Sequence, residues 1–480
     1  MTAGPHSPAA GGSAARPPGS GRSLQVGGAG AAQAHRPGTV HRPGTVQRSA
    51  AAHRPGAVHR PGVAHRPGAH RPGAGHQHGP TAVHQVGQLP DSVARSLRAP
   101  TPLENPWLAA AVLTVGGLLI AAWIVLAVRR HRAGRRWSRP LLSRLALGTA
   151  TASLVIVGAL LAVNSYVGYV PTTAALGNLL TGKPLESAGT VPDRPARPAA
   201  AGPKLLAAAP ATPVATTGSQ IVQLRIGVPA LGVPPSPTYV YLPPGYTDPA
   251  NARVRYPVIY LMHGYPGRAT DWLVGGQAQQ VTDLLRRDGL IGPMIMVFPT
   301  ANAGWLTDSE CLNAVGRGQQ LETYLTRVVV SRIDATFRTI AARDGRAIGG
   351  MSSGGYCALN LGLRNLGTYA VIMASMPYGD PGRGPLTRFL GGNLALFRAN
   401  SPSWYVSRMR FPERTAVFLD AGTDDRATVG TAQTMARELA ARGQYVALRL
   451  APGLGHTWRE ARAELPYSLI FAAGHLARAR

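Results

Sequence analysis

The sequence predicts an α/β domain in residues 219–480, with a mostly parallel sheet and flanking helices, preceded by two transmembrane helices and a disordered tail. After residue 219, β-branched runs alternate with segments of helical periodicity, which is the pattern of a parallel sheet with crossover helices. Two long apolar runs lie between residues 107 and 166. Upstream of them Ala, Gly, Pro, Arg and His dominate the composition.

Residues 1–106 form the predicted tail, in which the tetrapeptide His-Arg-Pro-Gly recurs at irregular spacing. Such a composition buries too little apolar surface to offset the conformational entropy lost on folding, so it predicts disorder. The whole chain has 49 Lys and Arg against 21 Asp and Glu, a net charge of +28. The tail and the loop between the two apolar runs are basic but lack interleaved aromatic residues, so we expect no nucleic acid partner.

Residues 107–166 are predicted to cross a membrane twice. The run 107–128 contains no charged side chain and is long enough to span a bilayer, and residues 145–163 supply a second, slightly shorter run. The intervening stretch 129–139 is rich in arginine, which places it in the cytoplasm by the positive-inside rule. A multi-pass cell-membrane protein with both flanks on the extracytoplasmic side is therefore expected.

Residues 167–218 are rich in Pro and Ala and predict an extended linker that holds the following domain off the membrane. The domain itself begins at about residue 219. Its predicted strands are residues 221–226, 238–242, 257–262, 294–298, 346–350, 369–374, 416–420 and 445–450. Its predicted helices are residues 277–287, 321–337, 353–364, 430–442 and 459–476.

The motif Gly-Met-Ser-Ser-Gly at residues 350–354 joins a predicted buried strand to a predicted helix. This G-x-S-x-G pattern is the nucleophile elbow of α/β-hydrolases, in which the serine occupies a strained strand-to-helix turn. Ser352 is therefore the predicted nucleophile. The backbone N–H of Ser353 would face an oxyanion formed at the substrate carbonyl.

A serine hydroxyl needs a nearby base and a carboxylate that orients the base. Outside the tail, His131 lies in the cytoplasmic loop and His475 in the last helix, which leaves His263 and His456. The chain order of serine, acid and histidine in this fold favours His456.

The acid is expected at the carboxyl end of the strand 416–420, where Asp420, Asp424 and Asp425 compete. Asp420 belongs to the strand end, whereas Asp424 and Asp425 lie in the loop at the edge where ligand-facing groups gather. We favour Asp425 over Asp424.

The sequence His-Gly-Tyr at residues 263–265 follows another apolar strand. The backbone N–H of Gly264 or Tyr265 is expected to complete the oxyanion hole with Ser353, and such a donor typically lowers the barrier by about 3 kcal/mol. His263 would shape this loop, and we also assign it to the substrate pocket.

Cys311 and Cys357 are the two cysteines, too few for a disulfide framework or a zinc site. Outside the cytoplasm they could form one bridge. The alternative, to which we give equal weight, is that Cys357 is a buried free thiol. Neither a metal nor a cofactor is expected for this chemistry.

Several segments together resemble the esterase family of α/β-hydrolases that includes feruloyl esterases, S-formylglutathione hydrolases and mycolyltransferases. They are YVYLPPGY, YPVIYLMHGYPG, IGGMSSGGYCALNLGLR, FLDAGTDD and PGLGHTW, within residues 239–476. The resemblance implies Ser352 as nucleophile, His456 as base and Asp425 as acid. It also implies a lid-like insertion at residues 376–411, whose Trp404 and Tyr405 would line the substrate pocket.

The expected function is that of a membrane-anchored serine esterase that hydrolyses a carboxylic ester, with a lipid or cell-envelope ester as a substrate class. One alternative is an acyltransferase acting on cell-envelope acceptors, although no segment matches the acceptor-binding segments of mycolyltransferases. A second alternative is a non-catalytic module that binds or anchors to the cell wall.

Overall fold

The computed structural model describes residues 79–97, 101–134, 141–181, 188–190, 218–302, 304 and 307–480. The predicted disorder of residues 1–78 therefore lies outside the described residues, as does most of the predicted Pro/Ala linker. The predicted cytoplasmic loop is described only up to residue 134.

A ten-stranded sheet forms the centre of the α/β domain, and its strands are arranged in the order β1-β10-β9-β8-β7-β5-β6-β4-β3-β2. The pairs β3–β4 and β4–β6 are antiparallel, and the other pairs are parallel. The strands are β1 Val83–Gln85, β2 Ala188–Thr190, β3 Gln220–Val228, β4 Val233–Leu242, β5 Val258–Met262, β6 Ile295–Pro299, β7 Arg346–Met351, β8 Val371–Ser375, β9 Ala416–Gly422 and β10 Tyr445–Ala451. All eight predicted strands are confirmed within a few residues.

The helices lie on both faces of this sheet, which is why the central strands read as continuous apolar runs rather than alternating ones. Every residue of β5, β6, β8 and β9 is buried. The helices of this region are α5 Asp271–Val274, α6 Ala278–Arg287, α7 Leu321–Thr323, α8 Val330–Thr336, α9 Ser353–Arg364, α10 Arg383–Arg388, α11 Leu394–Ala399, α12 Pro402–Tyr405, α13 Arg426–Ala441 and α14 Trp458–His475. Between α7 and α8 the chain has π-helical hydrogen bonding over Tyr324–Val329.

The core is divided by the sheet into two layers. Side chains of α9 and α13 pack on one face, and those of α6 and α14 pack on the other. The arrangement is the α/β-hydrolase fold predicted from the sequence, with the helices α10 to α12 inserted between β8 and β9.

Residues 79–97 differ from the prediction that they belong to a disordered tail. Strand β1 pairs in parallel with β10 at the sheet edge, and α1 Asp91–Leu97 follows it. Thr81 hydrogen-bonds to the carbonyl oxygens of Ala440 and Gln444, and Val93 is fully buried against the second core layer. The apolar positions in this stretch are too few to predict a strand, and pairing with β10 supplies the missing contacts.

Two described helices, α2 Pro106–Arg132 and α3 Leu141–Val167, are long and apolar enough to cross a membrane. They pack as an antiparallel pair in which glycines permit close approach: a Cβ on Gly116 would lie 2.8 Å from the Val155 side chain, and one on Gly158 2.8 Å from Leu113. Their remaining apolar side chains are largely exposed. The short helix α4 Thr173–Thr181 follows α3.

Candidate active site

Ser352 lies between β7 and α9 with backbone angles φ 58° and ψ −124°, a conformation that L-residues rarely adopt. The surrounding glycines make this turn sterically possible. A Cβ on Gly350 would lie 2.3 Å from the carbonyl oxygen of Gly354, and one on Gly354 2.3 Å from that of Met262. The G-x-S-x-G spacing therefore follows from backbone contacts between the elbow and β5, and the turn places Ser352 at the carboxyl edge of the sheet, where it is 6% exposed.

His456 joins the serine to an aspartate. Its Nε2 atom lies 2.7 Å from Ser352 Oγ, and its Nδ1 atom lies 2.7 Å from Asp425 Oδ2. Ser352 follows β7, Asp425 follows β9 and His456 follows β10, so the carboxyl ends of three parallel strands bring them together. The three residues predicted as the catalytic triad are thus in hydrogen-bonding distance in the order that the chemistry requires.

The carboxylate of Asp425 is further held by Thr428, whose Oγ1 donates to Asp425 Oδ2 at 2.6 Å. Asp425 precedes α13 as its N-cap residue. Partial burial opposes ionisation, but the hydrogen bonds from Thr428 and His456 outweigh it and lower the pKa of Asp425 below its ordinary value. The acid is therefore charged and oriented at neutral pH.

Asp424 and Asp420, the other two candidates for the acid, make different contacts. Asp424 is a neighbour of Thr423, whose hydroxyl lies 3.5 Å from its Oδ1 atom. Asp420 is fully buried within β9 and accepts a hydrogen bond of 2.6 Å from Arg449. Neither has a hydrogen bond to His456 among those found in the described residues.

The loop after β5 lies directly against the elbow. A Cβ on Gly264 would stand 3.2 Å from Ser352 Cβ, so a larger residue would disturb the nucleophile. His263 braces this loop: its Nε2 accepts from the Ala301 N–H at 3.1 Å, which leaves Nδ1 to donate to the Gly264 carbonyl at 2.8 Å. Burial lowers the pKa of His263, so the ring is neutral. Gly264 therefore lies beside the nucleophile, and its part in an oxyanion hole with Ser353, or that of Tyr265, stays a prediction.

None of the three residues assigned to the substrate pocket has a side-chain hydrogen bond to Ser352 among those found in the described residues. Both ring nitrogens of His263 are occupied by backbone groups, and its side chain is buried. The Tyr405 hydroxyl donates to Asn360 Oδ1 at 3.0 Å, beneath α9. Trp404 is about half exposed, and the Arg398 guanidinium lies over its ring at 4.5 Å. Sequence position after β8 indicated the insertion correctly but could not specify which way each ring points.

Tyr378 is a site residue that the sequence analysis missed. Its hydroxyl oxygen lies 2.8 Å from Ser352 Oγ and 3.4 Å from His456 Nε2, and its ring is parallel to the imidazole at a centroid distance of 6.0 Å. Burial raises the pKa of Tyr378, so the phenol remains protonated and can donate a hydrogen bond. Its position three residues after the buried strand β8 was the available signal.

A buried carboxyl group was also missed. Glu310 is 4% exposed and hydrogen-bonds with the Ser353 side chain, next to the nucleophile. Burial, followed by the charge of Asp308, raises the pKa of Glu310 well above its ordinary value. The adjacent Cys311 is disulfide-bonded to Cys357 of α9, which resolves the choice that the sequence left open and fixes this loop to the elbow helix.

An α/β-hydrolase sheet with a serine, a histidine and an aspartate at its carboxyl edge defines the class of protein. Residues 235–471 match the family model described as "Putative esterase". Over these residues the chain belongs to that esterase family.

Sequence relatives agree with this assignment. The chain is 37% identical over 119 residues to an endo-1,4-beta-xylanase/feruloyl esterase of Xylanibacter ruminicola, a match that covers 24% of this chain and 16% of the relative. It is 29% identical over 170 residues to an uncharacterized protein of Corynebacterium glutamicum, covering 34% and 38%. An esterase of Mycobacterium tuberculosis is 35% identical over 120 residues, covering 24% of each. The matches thus span well under half of each relative.

Solved structures of similar fold include a ferulic acid esterase, with 24% identity and a TM-score of 0.48, covering 54% of this chain and 99% of that one. An S-formylglutathione hydrolase from Agrobacterium tumefaciens has 19% identity and a TM-score of 0.46, covering 54% and 97%.

Proposed function

We propose that this protein is a membrane-anchored serine esterase that hydrolyses a carboxylic ester through an acyl-enzyme. The observation that carries the proposal is the pair of 2.7 Å contacts that link Ser352 to His456 and His456 to Asp425. Membership of the esterase family supports the same reaction class. A lipid or cell-envelope ester is the substrate class that fits an enzyme on the outer face of a cell membrane.

In the first step, Ser352 Oγ attacks the ester carbonyl while His456 Nε2 takes the hydroxyl proton. Asp425 accepts a hydrogen bond from Nδ1–H, which fixes the tautomer and stabilises the imidazolium. The backbone N–H groups of Ser353 and of Tyr265 or Gly264 would stabilise the oxyanion. The imidazolium then returns the proton to the leaving alkoxide, and the alcohol departs.

In the second step, a water molecule takes the place of the alcohol. His456 removes its proton, the resulting hydroxide attacks the acyl carbonyl, and the tetrahedral intermediate collapses to release the acid and regenerate Ser352. The Tyr378 hydroxyl lies close to both Ser352 Oγ and His456 Nε2. It would donate a hydrogen bond to Ser352 Oγ before attack. If an envelope hydroxyl replaced water in this step, the product would be a new ester and the enzyme an acyltransferase.

The anchoring is proposed on the two apolar helices α2 and α3 and on the arginines after residue 128. The positive-inside rule would place these arginines in the cytoplasm and the hydrolase domain outside. The pairing of β1 with β10 supports two spans rather than one, because it requires the segments before α2 and after α3 to lie on the same side.

The test is hydrolysis of p-nitrophenyl esters from acetate to palmitate by the full chain in detergent, beside its Ser352→Ala variant. We expect the variant to lose about a thousandfold or more of kcat/KM. Product analysis with glycerol present separates hydrolysis from acyl transfer. A folded wild-type protein that neither turns over an ester nor reacts with a fluorophosphonate probe would instead support a non-catalytic binding module.

A further inference from the structure

Exposed aromatic residues lie at the ends of the two apolar helices that adjoin the hydrolase domain. Trp107, at the start of α2, is 80% exposed, and Tyr166, at the end of α3, is 71% exposed. Because α2 and α3 are antiparallel and Asn164 donates to the Leu103 carbonyl at 2.9 Å, these two rings lie at the same end of the pair. Exposed Trp and Tyr at a helix end are typical of the headgroup level of a bilayer.

The hydrolase domain contacts this end directly. Arg462 of α14 donates to both carboxylate oxygens of Glu104, at 2.8 and 2.7 Å, and Glu104 is buried. Arg462 also donates to the carbonyl oxygens of Gly168 and Gly275, at 3.2 and 2.9 Å. A buried bidentate ion pair with two further hydrogen bonds is a fixed contact, because removing one partner leaves the other charge buried and unpaired.

Further bonds hold the same surfaces together. The Tyr169 hydroxyl donates to Asp271 Oδ1 at 2.7 Å, and Arg459 donates to the Ser165 carbonyl at 3.3 Å. A Cβ on Gly168 would lie 2.1 Å from the Arg459 side chain, so the two surfaces are in close contact. We call this set of contacts the junction: Glu104, Ser165, Gly168 and Tyr169 on the helix side, and Asp271, Gly275, Arg459 and Arg462 on the domain side.

The junction is adjacent to the catalytic histidine. His456 lies two residues before α14, whose first turns carry Arg459 and Arg462. A Cβ on Gly455 would lie 3.7 Å from the Tyr166 hydroxyl, the group that marks the headgroup level. The loop that carries the catalytic base therefore lies beside the outer end of α3. The sequence predicted an extended tether that holds the domain off the membrane, whereas the junction is a direct contact.

We propose that the junction holds the active-site edge of the sheet against the membrane, so that the enzyme acts on lipid esters of the leaflet in which it is itself anchored. This proposal rests on the proposed function and specifies its substrate class. Ester bonds of bilayer lipids lie at the headgroup level, and there they reach Ser352 by lateral diffusion.

The insertion between β8 and β9 fits this orientation because it rises from the same edge of the sheet. It exposes the apolar side chains of Leu394, Leu396 and Trp404. The guanidinium groups of Arg398 and Arg408 lie 4.5 and 5.8 Å from the Trp404 ring centroid. Aromatic and cationic side chains in contact suit the boundary between lipid headgroups and acyl chains.

The experiment uses the full chain reconstituted into phosphatidylglycerol and phosphatidylethanolamine vesicles, with 4-methylumbelliferyl palmitate as the lipid-soluble ester. The probe is placed either in the vesicles that contain the enzyme or in separate vesicles. We expect the rate in the same vesicle to exceed that between vesicles by about tenfold or more, because anchoring raises the effective concentration.

The junction is tested with Arg462→Gln and, independently, with Tyr169→Phe, and the matched control is Arg478→Gln on an exposed arginine. We expect both junction variants to lower the same-vesicle rate severalfold and to retain wild-type turnover of water-soluble p-nitrophenyl acetate. If Arg462→Gln misfolds and loses acetate turnover, Tyr169→Phe remains as the independent test of the junction. The control should match wild type on both substrates.

Two results would overturn the proposal. One is equal rates for probe in the same and in separate vesicles. The other is a same-vesicle rate that neither junction variant changes, which would mean that a flexible tether is sufficient. Both leave acetate turnover intact and so differ from failure of the proposed function, in which wild type neither hydrolyses p-nitrophenyl acetate nor reacts with a fluorophosphonate.

Discussion

Two aspartates of the same chain segment, Asp420 and Asp425, have opposite environments. Asp425 lies in the loop after β9, where Thr428 and His456 donate hydrogen bonds to it and lower its pKa. Asp420 is fully buried in the strand, and burial raises its pKa despite the contact with Arg449. Asp420 and Asp425 are only five positions apart in the sequence. The surroundings of Asp425 favour its charged form, whereas those of Asp420 disfavour it.

Burial explains the difference, because the interactions of Asp420 with Glu460 and Arg449 lower its pKa rather than raise it. Glu460 and Glu464 of α14 are buried in the same cluster, so Arg449 serves more than one carboxyl group. Burial is the first cause that raises the pKa of each glutamate, and the Asp420 charge is the second. A carboxylate at this edge of the sheet therefore keeps its charge where it is partly exposed and accepts hydrogen bonds from Thr428 and His456, and its charge is disfavoured where it is fully buried.

The largest expected effect comes from Asp425→Asn. Loss of the charge removes the group that fixes the His456 tautomer, and we expect kcat for p-nitrophenyl acetate to fall about 10³- to 10⁴-fold. Asp424→Asn is the matched control and should leave kcat unchanged. Equal losses in the two variants would mean that the loop rearranges around the substrate.

Glu310→Gln tests a raised carboxyl pKa inside the active site. Because burial raises its pKa well above the ordinary value, Glu310 ionises at a higher pH than a free carboxyl group, and a charge next to Ser353 would oppose the oxyanion. We expect wild-type kcat/KM to decline severalfold on the alkaline side and the variant to retain its activity there. Superimposable pH profiles would contradict this.

Glu464→Gln should have the smallest effect, on stability rather than on activity. A carboxyl group with a raised folded-state pKa contributes stability below its unfolded pKa and loses it as the pH rises. The variant should therefore match wild type near pH 4 and have a higher apparent Tm at pH 8, by about 2–4 °C per kcal/mol for a domain of this size.

Thermal unfolding of the full chain in detergent at both pH values measures this difference. Glu438→Gln, a partly exposed glutamate of α13, is the matched control and should shift Tm at neither pH. A variant that is less stable than wild type at pH 8 would show that the Glu464 charge is favourable where it lies.

The central strands of the sheet and the turn that bears Ser352 could be predicted from the amino-acid sequence alone. Apolar, β-branched runs predicted the fully buried strands β5, β6, β8 and β9 because burial on both faces leaves a local signature. The glycines of the elbow are equally local, since the backbone itself needs them at that turn. The chain order of motifs was also enough to select His456 from the four histidines outside the tail.

Contacts between side chains that are distant in the sequence could be identified only from the three-dimensional structure. Asp424 and Asp425 are neighbours in one loop, and the distance to His456 distinguishes them. Tyr378, Glu310 and the bridge between Cys311 and Cys357 depend on strands that are remote in sequence. The junction joins Glu104 to Arg462 across most of the described chain. A local pattern records whether a residue is buried, whereas the partner that it meets depends on how distant segments pack.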